Sequence, residues 1–279
     1  AWLWKLKDYI DLKFMYNFGP DALPEMATNT KVPAVAAAAG AEALDAIKHQ
    51  PMRCGGCGAK VGANVLSRVI KRLAVPTRSE VVVGLDSPDD AAVVAMPPGT
   101  MAVHTVDYFR SFVSDPFVFG KVAAVHALGD CWGMGAEPIT ALAIAQVPFG
   151  LEEKVEEDLV QMMAGATSAL TEANCALVGG HTCEGAELAL GFAINGAVKQ
   201  KEIKSKGGLK PGQAIVLTKP VGTGVMFAAD MRGAAKAGWV EAALKSMCQG
   251  SGAAATTLSS FGATAATDVT GFGLLGHLV

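Results

Sequence analysis

The sequence predicts an α/β fold. Short apolar runs bounded by turn residues alternate with longer stretches at helical spacing, carboxylates recur where the short runs stop, and Gly/Pro turns punctuate the changes of period. The organising stretch is Val81–Asp107, read as strand, acidic turn, strand, Pro-Pro-Gly turn and strand. Val81–Leu85, Ala91–Met96 and Met101–Val106 suit buried strands, with Asp86, Asp89, Asp90 and Asp107 at their ends. Several acids beside an apolar sheet cost free energy unless a cation or hydrogen-bond donors offset the desolvated charge. Mg²⁺ held by one or two carboxylates together with phosphate oxygens meets that need, so the expectation is a metal–nucleotide site.

The 279 residues have room for one large or two ordinary domains, and 51% hydrophobic with 18% charged residues favours a packed chain. A formal net charge of -3 gives no reason to expect nucleic acid or an anionic membrane as partner. Apolar runs stay below the roughly 18 residues of a membrane span, and no secretory signal opens the chain. Six cysteines do not make a disulfide scaffold at this length, which points to a reducing cytoplasm. The start at Ala1 without Met and the stop inside a Gly-rich motif suggest a piece of a longer protein.

Ala1–Phe18 places Leu3, Leu6, Ile10 and Phe14 at helical spacing, a helix that packs on a neighbouring domain; Trp2, Trp4 and Lys7 keep an interfacial anchor open as the alternative. Residues 19–50, with Pro20, Pro24, Pro33 and an alanine run, have linker composition. Val61, Val65, Val69 and Leu73 share one face of a short basic helix. Asp115 and Pro116 form an N-cap and first turn, and Gly133, Gly135 and Pro138 end that helix. Ile139–Val147 is a strand, and Glu152–Asn174 a helix with Val155, Leu159, Met162, Ala166 and Leu170 inward. Ala176–Val178 and Leu188–Val198 are strands around a GGHTCEGAE turn. Lys199–Gln213 is a boundary, followed by a strand Ala214–Thr218, helices to about Phe261, and a short strand before TDVTGFGLLGH.

Cys54-x-x-Cys57 is open to three readings: half a zinc site, a redox pair, or one working thiol. No second CxxC or finger-spaced His pair supports zinc, while Lys60 beside Cys57 would lower a thiol pKa or meet phosphate; a plain surface loop also fits. Asp130 interrupts an apolar helix one turn after His126, and a carboxylate there needs a partner, for which a metal fits. Gly179, Gly180 and His181 form a small-residue turn whose backbone N–H groups could face an anion. Cys131, Cys175, Cys183 and Cys248 suit small buried hydrophobes, and His49, His104 and His277 show no partner and are left structural. No P-loop is present; Gly271-x-Gly273-x-x-Gly276 matches a dinucleotide fingerprint whose acid, about 20 residues on, would fall beyond the end of this chain, and Asp268 fits the acidic cluster better.

From about Met52 onward the chain resembles the selenophosphate synthetase (selenide, water dikinase) family, of the superfamily that includes aminoimidazole ribonucleotide synthetase. The matching segments, in order, are GCGAK (Gly56–Lys60), DDAAVV (Asp89–Val94), TVDYF (Thr105–Phe109), DPFVFGKVAAVHALGDCWGMGAEP (Asp115–Pro138), LVGGHT (Leu177–Thr182), LTKPVGTGV (Leu217–Val225) and ATDVTGFGLLGH (Ala266–His277). The resemblance implies a two-domain α/β ATPase fold of that superfamily with its second domain cut short: an N-terminal domain over 51–205 and an incomplete one over 206–279. It implies that Cys57 handles selenium and that Lys60 faces phosphate. Asp90, Asp130 and Asp268 correspond to Mg²⁺ ligands. Ser87, Pro88, Asp89, Asp107, Asp130 and Gly179–His181 correspond to ATP contacts. The implied reaction converts ATP and selenide into selenophosphate, AMP and phosphate, with a monovalent cation such as K⁺ as a further cofactor and a homodimer through the N-terminal domain. His126 and Pro88 depart from the family pattern, which usually has Asn and a basic residue there. The first 18 residues look like the tail of a fused NADH-dehydrogenase-like flavoprotein. The rival readings are another kinase of the same superfamily, such as a thiamine-phosphate kinase-like protein, or a non-catalytic nucleotide-binding module regulating the flavoprotein.

Overall fold

The computed structural model describes residues 61–86, 91–207 and 209–278. The helix expected over Ala1–Phe18, the linker, Cys54, Cys57, Lys60, Ser87, Pro88, Asp89 and Asp90 lie outside the described residues. Elements follow in the order α1 (Ala63–Arg72), β1 (Val81–Val83), β2 (Val93–Val94), β3 (Met101–Arg110), α2 (Pro116–Gly133), β4 (Glu137–Pro148), α3 (Glu152–Glu172), β5 (Ala176–Gly185) and β6 (Ala189–Val198). A 3₁₀ turn at Gln200–Glu202 leads to α4 (Thr223–Asp230), α5 (Ala237–Met247), α6 (Gly252–Ser260) and α7 (Gly273–Leu278). Among the described residues no helix is long and apolar enough to cross a membrane.

A four-stranded sheet in the order β3-β6-β4-β5 carries α2 and α3 on one face. Its β4–β5 pair is parallel and the other two pairs antiparallel. Parallel neighbours need a crossover, and α3 supplies it. Strand alternation sets Thr105, Ile194 and Ala141 in one inward row, Asp107, Phe192 and Ala143 in the next, and Phe109, Leu190 and Ala145 in a third. The β4 and β6 members are buried against Phe119, Leu128, Leu159, Met162 and Leu170 of the helices. The intervening residues, His104, Val106 and Tyr108 with Leu142, Ile144, His181 and Cys183, belong to the opposite face, where Val106 is 60% and Tyr108 45% exposed.

Helix α2 starts as its sequence dictates: the Asp115 carboxylate accepts from Val118 N–H at 3.1 Å and Pro116 occupies the first turn. It ends before Gly135, whose φ of +73° suits glycine. Where α2 crosses α3 the backbones touch. A β-carbon on Gly120 would land on the Met162 carbonyl oxygen, and one on Gly165 on the Phe117 carbonyl oxygen. Helix α1 docks on α3 through Val65 and Val69, flanked by Arg68 and Arg72 paired with Glu152, Glu156 and Glu157. Arg78 ties the approach to β1 to the rest. It donates to Glu80, Glu137 and the carbonyls of Pro138 and Asn174, and holds the Glu80 carboxyl at about 2.

Several expectations change. The first two strands are shorter than expected and form a separate two-stranded ribbon, with Val82 and Val93 exposed rather than buried. The third runs on to Arg110, so Asp107 lies inside the strand and not at its end. The Gly179–His181 turn is strand: β5 continues to Gly185 after a bulge at Val178, and Gly180 lies so close to Ala143 that a β-carbon would strike its backbone. Ala214–Thr218 joins no ladder, leaving Ile215 and Val216 exposed, and no strand precedes TDVTGFGLLGH. A strand needs a neighbour to satisfy its backbone, and the described residues offer none there.

The helix crossing yields a stability test. Gly165→Ala should cost about 3 kcal/mol, the upper part of the overpacking range, because the obstruction is backbone. Gly238→Ala, where a β-carbon meets nothing, should be neutral or stabilising. Chemical denaturation of the two variants decides; equal stabilities would show that the crossing is looser than described.

Candidate active site

Asp107 and Thr105 project from β3 toward α2, two residues apart, which along a strand is roughly 6.6 Å. His126 and Asp130 stand one turn apart on α2, about 6 Å along the helix. The two spacings match, and two cross-links result. Thr105 Oγ1 donates to Asp130 Oδ2, and His126 Nε2 lies 3.6 Å from Asp107 Oδ2. His126 and Asp130 share a helix face in the sequence, and the strand gives each its own partner. Phe109 packs edge-on against the His126 ring at 5.2 Å and fixes its plane.

Asp268 arrives from the other end of the described chain. Its carboxylate lies over Gly129, where a β-carbon would come within 3.0 Å of Oδ2, and its backbone lies over Gly133. Two glycines four residues apart thus form a shallow seat beside Asp130. Their spacing was visible in the sequence, but it carried no meaning until the occupant was known. Asp107, Asp130 and Asp268 come together; Asp90 lies outside the described residues.

The electrostatics follow from this crowding. Burial, reinforced by the Asp130 charge, pushes the Asp107 carboxyl up, and His126 partly offsets it. Burial also raises Asp268, reinforced by Asp130 and Asp107 and relieved in part by His126 and His277. These acids repel one another and want a cation. Among the described residues no three His, Cys, Asp or Glu side chains form a ready-made metal cage. Mg²⁺ needs only one or two carboxylates, with water and phosphate oxygens completing its shell, and Asp130 and Asp268 are the carboxylates that would supply them. With Oδ2 of Asp130 engaged by Thr105, Oδ1 remains for such an ion.

Other residues sort themselves out. Gly179, Gly180 and His181 lie in β5, with Gly180 and His181 exposed. Cys131 and Cys175 are fully buried, their thiols pushed up to about 12, so neither is reactive at neutral pH. Cys183 and Cys248 are half-buried rather than buried. His104 and His277 do have partners: His104 Nδ1 lies 2.6 Å from Asn195 Oδ1, and His277 Nε2 accepts from Thr270 N–H at 3.2 Å. Thr105 was missed as a site residue, since a lone Thr in a strand carries no distinguishing pattern. A cavity of about 670 Å³ lies elsewhere, between α2, the end of α3 and α6, lined by Trp132, Glu172, Gly250 and Thr256.

Residues 88–198 match the AIR synthase related protein, N-terminal domain family. A selenide, water dikinase of Desulfitobacterium hafniense is 41% identical over 80% of this chain and 65% of its own length. One of Myxococcus xanthus is 40% identical over 81% and 64% respectively. The chain therefore spans about two thirds of the length of these relatives. Among solved structures, thiamine-monophosphate kinase from Stenotrophomonas maltophilia superposes with a TM-score of 0.58 over 70% of this chain and 64% of its own, at 20% identity. AaThiL complexed with AMPPCP and TMP superposes at 0.50 over 63% and 58%, at 16% identity. The structural neighbours share the fold, and by sequence this chain is similar to the selenide, water dikinases.

Proposed function

We propose that the protein makes selenophosphate from selenide, using ATP and Mg²⁺ and releasing AMP and phosphate. The observation that carries this reading is the meeting of Asp107, Asp130 and Asp268, from three separated segments, in a chain 41% identical to a protein named for that activity. The γ-phosphoryl group passes to selenide, forming a P–Se bond and breaking the β–γ P–O bond. Water then cleaves the remaining ADP to AMP and phosphate. In this scheme Asp90, Asp130 and Asp268 hold Mg²⁺, which when bound neutralises triphosphate charge. Thr105 orients Asp130. Asp107, steadied by His126, faces the nucleotide together with Ser87, Pro88, Asp89 and Gly179–His181. Cys57 holds the selenium species and Lys60 meets phosphate. AMPPCP in a fold neighbour supports ATP as the substrate. The catalytic unit spans 51–205, with a second domain from 206, a monovalent cation such as K⁺ assisting and the cytoplasm as the setting. A thiamine-phosphate kinase-like activity is disfavoured, because that likeness stays at 20% identity while selenide, water dikinases reach 41%.

A homodimer is part of the proposal. The helix-free face of the sheet exposes Val106 and Tyr108 beside half-buried Leu142 and Ile144, a surface that a second copy's sheet would cover.

The full-length protein, incubated anaerobically with ATP, Mg²⁺ and selenide and followed by phosphorus NMR, should form AMP only when selenide is present. Cys57→Ala should abolish that AMP, and Asp130→Asn should slow it on the order of 100-fold or more. AMP formation indifferent to Cys57 would remove its assigned role; ATP binding without AMP would favour a binding module.

A second expectation concerns stability. Asp268 is raised in the folded protein, so its ionised form is disfavoured there: stability is greatest while the group is protonated and falls as pH rises through the folded value. At neutral pH Asp268→Asn should therefore raise the melting temperature of the metal-free protein and abolish its further rise with Mg²⁺ and ATP. A lower metal-free melting temperature would contradict the electrostatic account.

For the dimer, sedimentation equilibrium should give twice the chain mass for the wild type and a monomer for Val106→Lys, because a buried unpaired ammonium is costly. A Val106→Lys dimer would place the interface elsewhere.

A further inference from the structure

His277 is 8% exposed, yet among the described residues its Nδ1 meets no hydrogen-bond partner. An orphaned buried polar atom is costly, and Leu or Phe would fill the same space without one. What the imidazole contributes is its other nitrogen: Nε2 accepts from the Thr270 backbone N–H at 3.2 Å and lies 3.3 Å from Thr270 Oγ1. A ring nitrogen that accepts carries no proton, so Nδ1 bears it. Within the loop thus closed, Gly273 N–H donates to Thr270 O at 3.0 Å and Gly273 takes a φ of +67°, while the Phe272 ring packs 5.7 Å from the imidazole. Thr270 is two residues after Asp268, whose carboxylate lies on the Gly129 seat.

We propose that His277 is a positioning residue: by accepting from Thr270 it clasps the segment 268–277 and sets the Asp268 carboxylate beside Asp130 for the divalent cation. The inference rests on the metal role given to Asp268 above and goes beyond it, because His277 itself touches neither metal nor nucleotide. The clasp is local to one short segment, so its loss loosens one carboxylate and leaves the sheet and its helices intact. The effect on metal affinity should be that of losing an outer support, about tenfold.

The test uses Mn²⁺ in place of Mg²⁺, with bound and free ion counted by electron paramagnetic resonance on the full-length protein in the presence of a non-hydrolysable ATP analogue. His277→Phe, which fills the site without an acceptor, should weaken Mn²⁺ binding about tenfold and speed hydrogen exchange at the Thr270 amide. His277→Gln, which returns an acceptor, should bring both back to within about threefold of the wild type. Asp268→Asn is the control for the metal reading. Wild-type Mn²⁺ affinity in His277→Phe alongside weak binding in Asp268→Asn overturns the clasp and leaves the metal site standing. Equal losses in the Phe and Gln variants overturn the acceptor role. Wild-type affinity in Asp268→Asn overturns the metal reading on which the clasp depends.

Discussion

The pair of cross-links between β3 and α2 underlies the rest of the site. A strand advances roughly 6.6 Å in two residues and a helix about 6 Å in four, so two polar side chains on one can meet two on the other without bending either. Thr105 takes Asp130 and Asp107 takes His126, and the inward row of an otherwise apolar strand becomes polar where the helix can answer it. Away from that register Phe109 resumes the apolar pattern and closes over His126. Asp107 and Asp130 therefore sit on two stiff elements rather than on loops, and their mutual repulsion cannot relax by moving apart.

Glycine makes this arrangement possible at two scales. At the α2–α3 crossing, Gly120 and Gly165 let the helix backbones touch, which brings α2 down onto the sheet. On the adjoining stretch of α2, Gly129 and Gly133 leave the seat that receives Thr267 and Asp268. A β-carbon at Gly129 would press on the Asp268 carboxylate, and one at Gly133 on the Asp268 backbone N. Packing and chemistry thus make the same demand on one helix, and its composition of small apolar residues around a single Asp answers both.

The cluster trades folding stability for binding. Burial raises Asp107 and Asp268, so at neutral pH the metal-free protein carries ionised groups in surroundings that disfavour them. In the proposed function a divalent ion and a polyphosphate would relieve each other's charge in the same volume.

Much of this was legible in the chain itself. The Asp115–Pro116 start of α2, the inward face of α3 and the departure of Asp130 from an apolar helix all follow from local rules of capping, period and desolvation. Motif order was enough to indicate the family. Local rules could not choose between partners distant in sequence. They put His126 and Asp130 on one helix face, and the sheet gave each its partner. They made Gly179–His181 a turn because glycines usually break strands, whereas β4 drew those residues into a ladder at a bulge. His277 looked idle until Thr270 was folded back against it. Helix starts, helix faces and residue chemistry are set by neighbours within a few positions, so sequence alone determined them. Which carboxylate meets which donor depends on the register between β3 and α2 and on the seat at Gly129, and only tertiary packing decides those.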